Sequence, residues 1–201
     1  MRAATRRSFV AGPAGRIECA IDAPEGAAAG AALVAHPHPL HGGTLDNKVV
    51  QTLARALAEL GYEAWRPNFR GVGRSEGAHD EGRGEVDDLA AVLGHMNSGK
   101  LILAGFSFGA AMQLKLAARV AAERRPERLI LVGPAVTHYE LPPAPEGTLV
   151  IHGEQDTTIP LAALLDWARP QELPVVLVPG ADHFFHRKLN VLRAIIRHNV
   201  K

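Results

Sequence analysis

The chain has almost no cysteine: Cys19 is the only one in 201 residues. A lone thiol excludes an internal disulfide and a cysteine-based zinc site. It also removes any demand for an oxidising compartment. An excess of one charge is lacking too, since 22 Lys and Arg face 21 Asp and Glu, for a net charge of +1. That balance gives no electrostatic footprint for nucleic acid or an anionic membrane surface. No apolar run approaches the ~20 residues that a bilayer span needs. The basic start Met1-Arg-Ala-Ala-Thr-Arg-Arg-Ser-Phe9 is not followed by an apolar stretch, so it is not a secretory signal. It reads as the start of a first strand rather than as an Arg-rich transit peptide, and the expected compartment is the cytoplasm. Repeats, low-complexity tracts and long linkers are missing as well. With 47% hydrophobic residues, the chain can bury a full core, and a single domain over residues 1–201 is expected.

What is present is alternation. Apolar runs at Ile17–Ile21, Ala31–Ala35, Glu63–Pro67, Lys100–Ala104, Leu129–Val132, Thr148–His152 and Val175–Val178 read as strands. Helical patterns fill Asn47–Gly61, Glu85–His95, Phe108–Arg124, Leu161–Arg169 and Arg187–His198. In the first of these, Val50, Leu53, Ala54, Leu57 and Leu60 fall at helical spacing, and Gly61 supplies the stop. Several strands are continuously apolar, as sheets covered on both faces require. The pattern predicts an α/β fold with a mostly parallel sheet and helices on both sides.

One turn in this pattern carries chemistry. The run Leu101-Ile-Leu-Ala104 ends in Gly105-Phe-Ser-Phe-Gly109, and a small-residue helix follows. This is G-x-S-x-G in the order strand, sharp turn, helix, the context of a nucleophile elbow. A serine hydroxyl needs a base within hydrogen-bond reach and a third group to orient that base. In a parallel sheet such groups sit at the carboxyl ends of strands. Two strand ends after Ser107 carry them: Asp156 follows the strand ending at His152, and His183 follows the strand ending at Val178. The chain order Ser, Asp, His is the one this architecture uses. Glu154 and Asp182 are rival acids, read as a turn group and a loop-bonding group. His152 and His186 are rival bases, read as a packed strand histidine and an exposed one.

At this point a resemblance emerges. The segments Ala35-His-Pro-His-Pro-Leu-His-Gly-Gly43, Arg66-Pro-Asn-Phe-Arg-Gly-Val-Gly-Arg-Ser75, Gly105–Gly109, His152-Gly-Glu-Gln-Asp-Thr-Thr-Ile-Pro160 and Gly180-Ala-Asp-His183 occur in one order along nearly the whole chain. Together they resemble a small α/β-hydrolase without a lid, of the serine carboxylesterase and dienelactone-hydrolase-like group. The resemblance implies an eight-stranded, mostly parallel sheet without a cap domain. It casts Ser107 as nucleophile, Asp156 as orienting acid and His183 as general base. Two departures matter. Dienelactone hydrolases use a cysteine nucleophile and dehalogenases of this fold an aspartate, so the serine argues for ordinary ester chemistry. The oxyanion site needs two backbone N–H donors. The residue after the nucleophile, Phe108, supplies one. His36-Pro37-His38 occupies the place of the family's His-Gly-x, and because Pro37 and Pro39 have no N–H, the second donor falls to His38. Leu40 is the weaker candidate.

Three other motifs lead nowhere. His36-x-His38-x-x-His41 resembles the H-x-H-x-D-H signature of metallo-β-lactamase-like hydrolases, but Leu40 stands where the acid belongs. Packing and loop hydrogen bonds are the reading preferred for these imidazoles, and no metal is expected. Gly94–Lys100 matches the start of a P-loop with Leu101 in place of the magnesium-binding Ser or Thr, and with helix and strand in reversed order. Gly71-Val-Gly73 is a fragment of a dinucleotide fingerprint that lacks its third glycine, and reads as a turn after a strand. Cys19 reads as a small core residue.

The connection Pro134–Gly147, with Pro142, Pro143 and Pro145, has no room for a helical cap. An open site is expected, lined by Leu40, His138, Tyr139 and Phe184, with a small-molecule ester of small or medium acyl group as substrate and no cofactor. The alternatives are a thioesterase or peptidase of the same fold, or a non-catalytic binding protein on this scaffold. No nucleic-acid or membrane partner is expected, and the sequence leaves a homodimer open.

Overall fold

The protein is described by a computed structural model covering residues 5–96, 99–120 and 124–200. Eight strands form one sheet: β1 (Thr5–Gly12), β2 (Gly15–Asp22), β3 (Gly30–Ala35), β4 (Tyr62–Pro67), β5 (Leu101–Phe106), β6 (Arg128–Val132), β7 (Leu149–Gly153) and β8 (Val175–Val178). Their spatial order is β1-β2-β4-β3-β5-β6-β7-β8. β1 and β2 form an antiparallel hairpin, with Thr5 opposite Asp22 and Gly12 opposite Gly15. β2 also runs antiparallel to β4, and every later pairing is parallel. The basic start is thus partly an edge strand; Met1–Ala4 lie outside the described residues.

The continuous apolar runs are explained by two cores, one on each face. Leu101 and Leu103 of β5 join one core, while Ile102, Ala104 and Phe106 join the other. β3 and β6 alternate in the same way, as the period of two demands. Helices α1 (Lys48–Glu59) and α5 (Leu189–Asn199) cover one face through Val50, Leu53, Leu57, Leu192 and Ile196. Helices α2 (Arg83–His95), α3 (Phe108–Arg119) and α4 (Leu161–Ala168) cover the other through Leu89, Val92, Leu114 and Leu164.

Helix ends differ from the sequence pattern for local reasons. Asn47 is the cap of α1 rather than its first residue, its side chain accepting the amides of Val49 at 2.9 Å and Val50 at 3.4 Å. Such a cap satisfies donors that the first turn leaves open. α3 stops at Arg119 because Val120 turns extended; of the rest of the helix expected to Arg124, residues 121–123 lie outside the described residues. α5 starts later than Arg187, which sits at φ 59°. The P-loop-like segment spans the end of α2 and the approach to β5, its Asn97 and Ser98 outside the described residues. The Gly71–Gly73 segment is a turn after β4, with both glycines at positive φ. The connection from β6 to β7 carries no helix. No described helix is long and apolar enough to cross a membrane.

Candidate active site

β5 delivers Ser107 to the sheet's carboxyl end, and α3 departs immediately. The reversal requires Ser107 to adopt φ 55° and ψ −117°, a region that residues with a Cβ seldom occupy and that marks stored strain. The surrounding backbone holds it there. Ser107 N donates to Val132 O at 2.9 Å, and Ser107 O accepts the amides of Ala110, Ala111 and Ala135. The motif's glycines permit the approach: a Cβ on Gly105 would lie 2.5 Å from the carbonyl carbon of Gly109, and one on Gly109 would lie 2.5 Å from that of Ala35.

The loop after β8 brings His183 to the serine, with Nε2 3.0 Å from Ser107 Oγ. On the ring's other side, Nδ1 lies 2.6 Å from Asp156 Oδ2. A carboxylate only accepts, so Nδ1 carries the proton and Nε2 is left as the acceptor facing the hydroxyl. Asp156 is itself fixed, because its Oδ1 accepts the amides of Thr158 at 2.9 Å and Ile159 at 2.8 Å. All three side chains are buried. The three strand ends that carried them in sequence thus meet in one hydrogen-bonded chain.

The loop after β3 lies against the elbow. His36 ties it down: its Nε2 accepts Phe69 N at 3.0 Å, which leaves Nδ1 to donate to Pro37 O at 2.7 Å. Burial pushes the His36 pKa down to about 4, against a smaller opposing effect of the Pro37 carbonyl. His36 is therefore a neutral latch between two loops. Arg66 adds a second tie, forking onto buried Asp22 and reaching the Leu45 carbonyl. The amides of Phe108 and His38 have no hydrogen-bond partner among the described residues, and the two rings stand 5.0 Å apart.

The rival groups fall into place. Glu154 accepts the Gly180 amide as a turn group, and Asp182 bonds its own loop at His186 N and Nδ1. His152 is fully buried, its Nε2 donating to Ile159 O at 3.0 Å. The expectation of a satisfied strand histidine holds only for that nitrogen, since Nδ1 has no partner among the described residues. Burial, ahead of the opposing pull of Asp156, lowers its pKa. Of the expected lining, Tyr139 packs edge-on to Phe108 at 5.4 Å and Phe184 edge-on to His183 at 5.2 Å. Leu40 is 69% exposed, and His138 is exposed with Nδ1 against Thr137 Oγ1.

Sequence reasoning missed two residues beside the elbow. His79 packs against Phe108 at 5.8 Å and against His38 at 4.9 Å. Glu85, expected only as a first-turn helix acid, is fully buried and lies 2.9 Å from His79 Nδ1. Its carboxylate accepts the amides of Asp80 and Gly82, each at 2.8 Å. The one available signal was Glu85 three residues after Gly82, the spacing of half a capping box.

An eight-stranded sheet of this order, with a serine elbow at β5 and no cap, defines an α/β hydrolase. Comparison with known proteins agrees. Residues 35–164 match the Hydrolase_4 family, described as serine aminopeptidase, S33, and the chain belongs to this family of α/β serine hydrolases. XC6422 from Xanthomonas campestris, described as an α/β serine hydrolase without lid, is 40% identical, with 98% of this chain and 93% of that one covered at a TM-score of 0.88. An α/β serine hydrolase homologue from Coxiella burnetii is also 40% identical, covering 98% and 97% at the same TM-score. Uncharacterized protein RP471 of Rickettsia prowazekii is 36% identical over 88% of this chain and 81% of its own length.

Proposed function

We propose that the protein hydrolyses carboxylic esters of small or medium acyl chain through an acyl-enzyme on Ser107. The observation that carries this reading is the unbroken hydrogen-bonded chain from Ser107 Oγ through His183 to Asp156. His183 Nε2 takes the hydroxyl proton as Oγ attacks the carbonyl carbon. Asp156 keeps the proton on Nδ1 and stabilises the imidazolium that forms. The carbonyl oxygen becomes an oxyanion that accepts from the amides of Phe108 and His38, a site worth about 10²–10³ in turnover per donor. His183 then hands its proton to the departing alkoxide. Water attacks the acyl-enzyme with His183 as base again, releasing the acid and restoring Ser107. Every step uses groups of this chain. The capless connection and the exposed Leu40 favour short, open-site substrates over long acyl chains.

The test is turnover of p-nitrophenyl esters from acetyl to dodecanoyl by wild type and Ser107→Ala. Wild type is expected to favour the short end and the variant to lose about 10³-fold or more. Equal inertness of both proteins, with no fluorophosphonate label on Ser107, would overturn the reading and leave a binding protein on a hydrolase scaffold. The family description also favours one second reading, a peptidase with the same acyl half-reaction. Turnover of aminoacyl p-nitroanilides above that of the matched esters would select it.

A further inference from the structure

The elbow is bordered by more imidazoles than the proton relay uses. His38 stacks on His41 at 4.5 Å and faces His79 at 4.9 Å. His38 and His79 both pack on the ring of Phe108, the residue that adjoins Ser107. His138 is near enough to repel a charge on His38. These four come from three separate loops, after β3, before α2 and after β6. His38 Nδ1 accepts the Leu40 amide at 3.2 Å, so in the neutral ring the proton sits on Nε2. His79 Nδ1 lies 2.9 Å from the Glu85 carboxylate, but off-axis, so the buried nitrogen makes no hydrogen bond among the described residues.

The charges around this rim can be summed. Asp80 is bound to Arg83 at 2.9 Å, and Arg70 to Asp88 at 2.7 Å, so each pair cancels. Lys115 stands over the Tyr139 ring at 5.4 Å, and Glu81 lies 3.9 Å from Arg83, so these two charges offset each other only in the sum. What remains is the single buried charge of Glu85, 2.9 Å from His79 and near enough to act on His38. Neutral imidazoles leave the rim negative, and a second protonation turns the sum positive. Burial, and then repulsion from His41 and His79, keeps the His38 pKa below the ordinary imidazole range. Glu85 is the counter-charge that makes the first uptake affordable, and its oxygens are occupied by backbone amides, which leaves it poorly placed to receive a substrate ammonium.

We propose that this imidazole rim is an anion-recognition subsite that selects esters carrying a carboxylate on the acyl chain. The inference rests on the ester-hydrolase reading. There the amides of Phe108 and His38 hold the carbonyl oxygen, and the rings of the same residues build the rim, so the acyl substituent comes against it. Protonated imidazoles form charge-assisted hydrogen bonds to a carboxylate, stronger than neutral ones. The preference is therefore conditional on pH, and it opposes recognition of a free amino group.

The experiment compares three ethyl esters of equal chain length by ethanol release: monoethyl glutarate, ethyl pentanoate and ethyl 5-aminopentanoate. The ratio of kcat/KM between two esters cancels the loss of activity that protonation of His183 causes. From about pH 8 to about pH 6 the anionic-to-neutral ratio is expected to rise about ten-fold in wild type, and the cationic-to-neutral ratio to fall. His79→Gln should flatten the rise, and His41→Gln, on an exposed residue, should reduce it. A flat ratio in wild type, a rise that both variants retain in full, or preference for the ammonium ester at the lower pH overturns the inference. If ethyl pentanoate is hydrolysed in a Ser107-dependent way while the ratio stays flat, only the inference fails. If no ester is hydrolysed, the ester reading fails and takes the inference with it.

Discussion

Two histidine–carboxylate pairs border Ser107, and they are built from the same chemistry to different ends. His183 and Asp156 are collinear, with a 2.6 Å contact on one side of the ring and the serine 3.0 Å from the other. His79 and Glu85 are nearly as close at 2.9 Å, yet misaligned. Both carboxylates are held by two backbone amides. The difference lies in the ring. His183 is gripped at both nitrogens and can pass a proton along a line. His79 has a carboxylate beside it but no aligned acceptor, so the pair forms no relay. A histidine next to a carboxylate is not a catalytic relay until a third group completes the line.

The same amide substitution in both pairs breaks the comparison most sharply. In Asp156→Asn, the oxygen that serves Thr158 and Ile159 stays, and the new NH₂ group faces His183 Nδ1. That nitrogen must then accept, which puts the proton on Nε2, where it cannot receive one from Ser107. A loss of about 10⁴ in kcat is expected, with the fold intact by circular dichroism. A loss below ten-fold would show that the alignment is not what matters.

His36 sharpens the contrast, because it is a buried histidine whose hydrogen bonds involve no carboxylate at all. Between its ordinary value near pH 6.5 and its folded-state value of about 4, the unfolded chain binds a proton that the folded chain does not. Stability therefore falls as pH drops through that window, by roughly 3 kcal/mol in total, and levels off below it. Urea midpoints measured across this range should show the slope in wild type and lose this part of it in His36→Asn. An unchanged slope would remove the latch from the account.

Glu85→Gln is the smallest expected effect and the counterpart of Asp156→Asn. One of the two amides at Asp80 and Gly82 loses its acceptor, at a cost of about 1–3 kcal/mol read as a lower Tm. The same variant should weaken the pH dependence of the anionic-to-neutral ester ratio, since the rim loses its counter-charge. A collapse of kcat comparable to that of Asp156→Asn would mean that the second pair belongs to the chemistry after all.

Much of this was legible in the residues. Alternation of apolar runs with helical periods identified seven of the strands, because strands covered on both faces leave unbroken apolar signatures. G-x-S-x-G was legible because the close approach of β5, α3 and β3 at Gly105 and Gly109 excludes any side chain. Asp156 and His183 were legible by position, since each ends a strand whose carboxyl terminus faces the same edge of the sheet. The ends of α3 and α5 were not, because capping geometry rather than apolar spacing stops them. The orientation of Leu40 and His138 was not legible, because nothing in a loop sequence says which way its side chains turn.

What the sequence determined by itself was local and periodic: the elements, the elbow, and the three strand ends that carry Ser107, Asp156 and His183. Tertiary structure alone decided the strand order, the alignment that makes one histidine a relay, and the meeting of His38, His79 and Glu85 over Phe108. The physical reason is range. Periodicity and turn chemistry act over a few residues and leave a mark at each position. Contacts among loops distant in the chain depend on how the packed sheet arranges its ends, and no residue in any one loop records that arrangement.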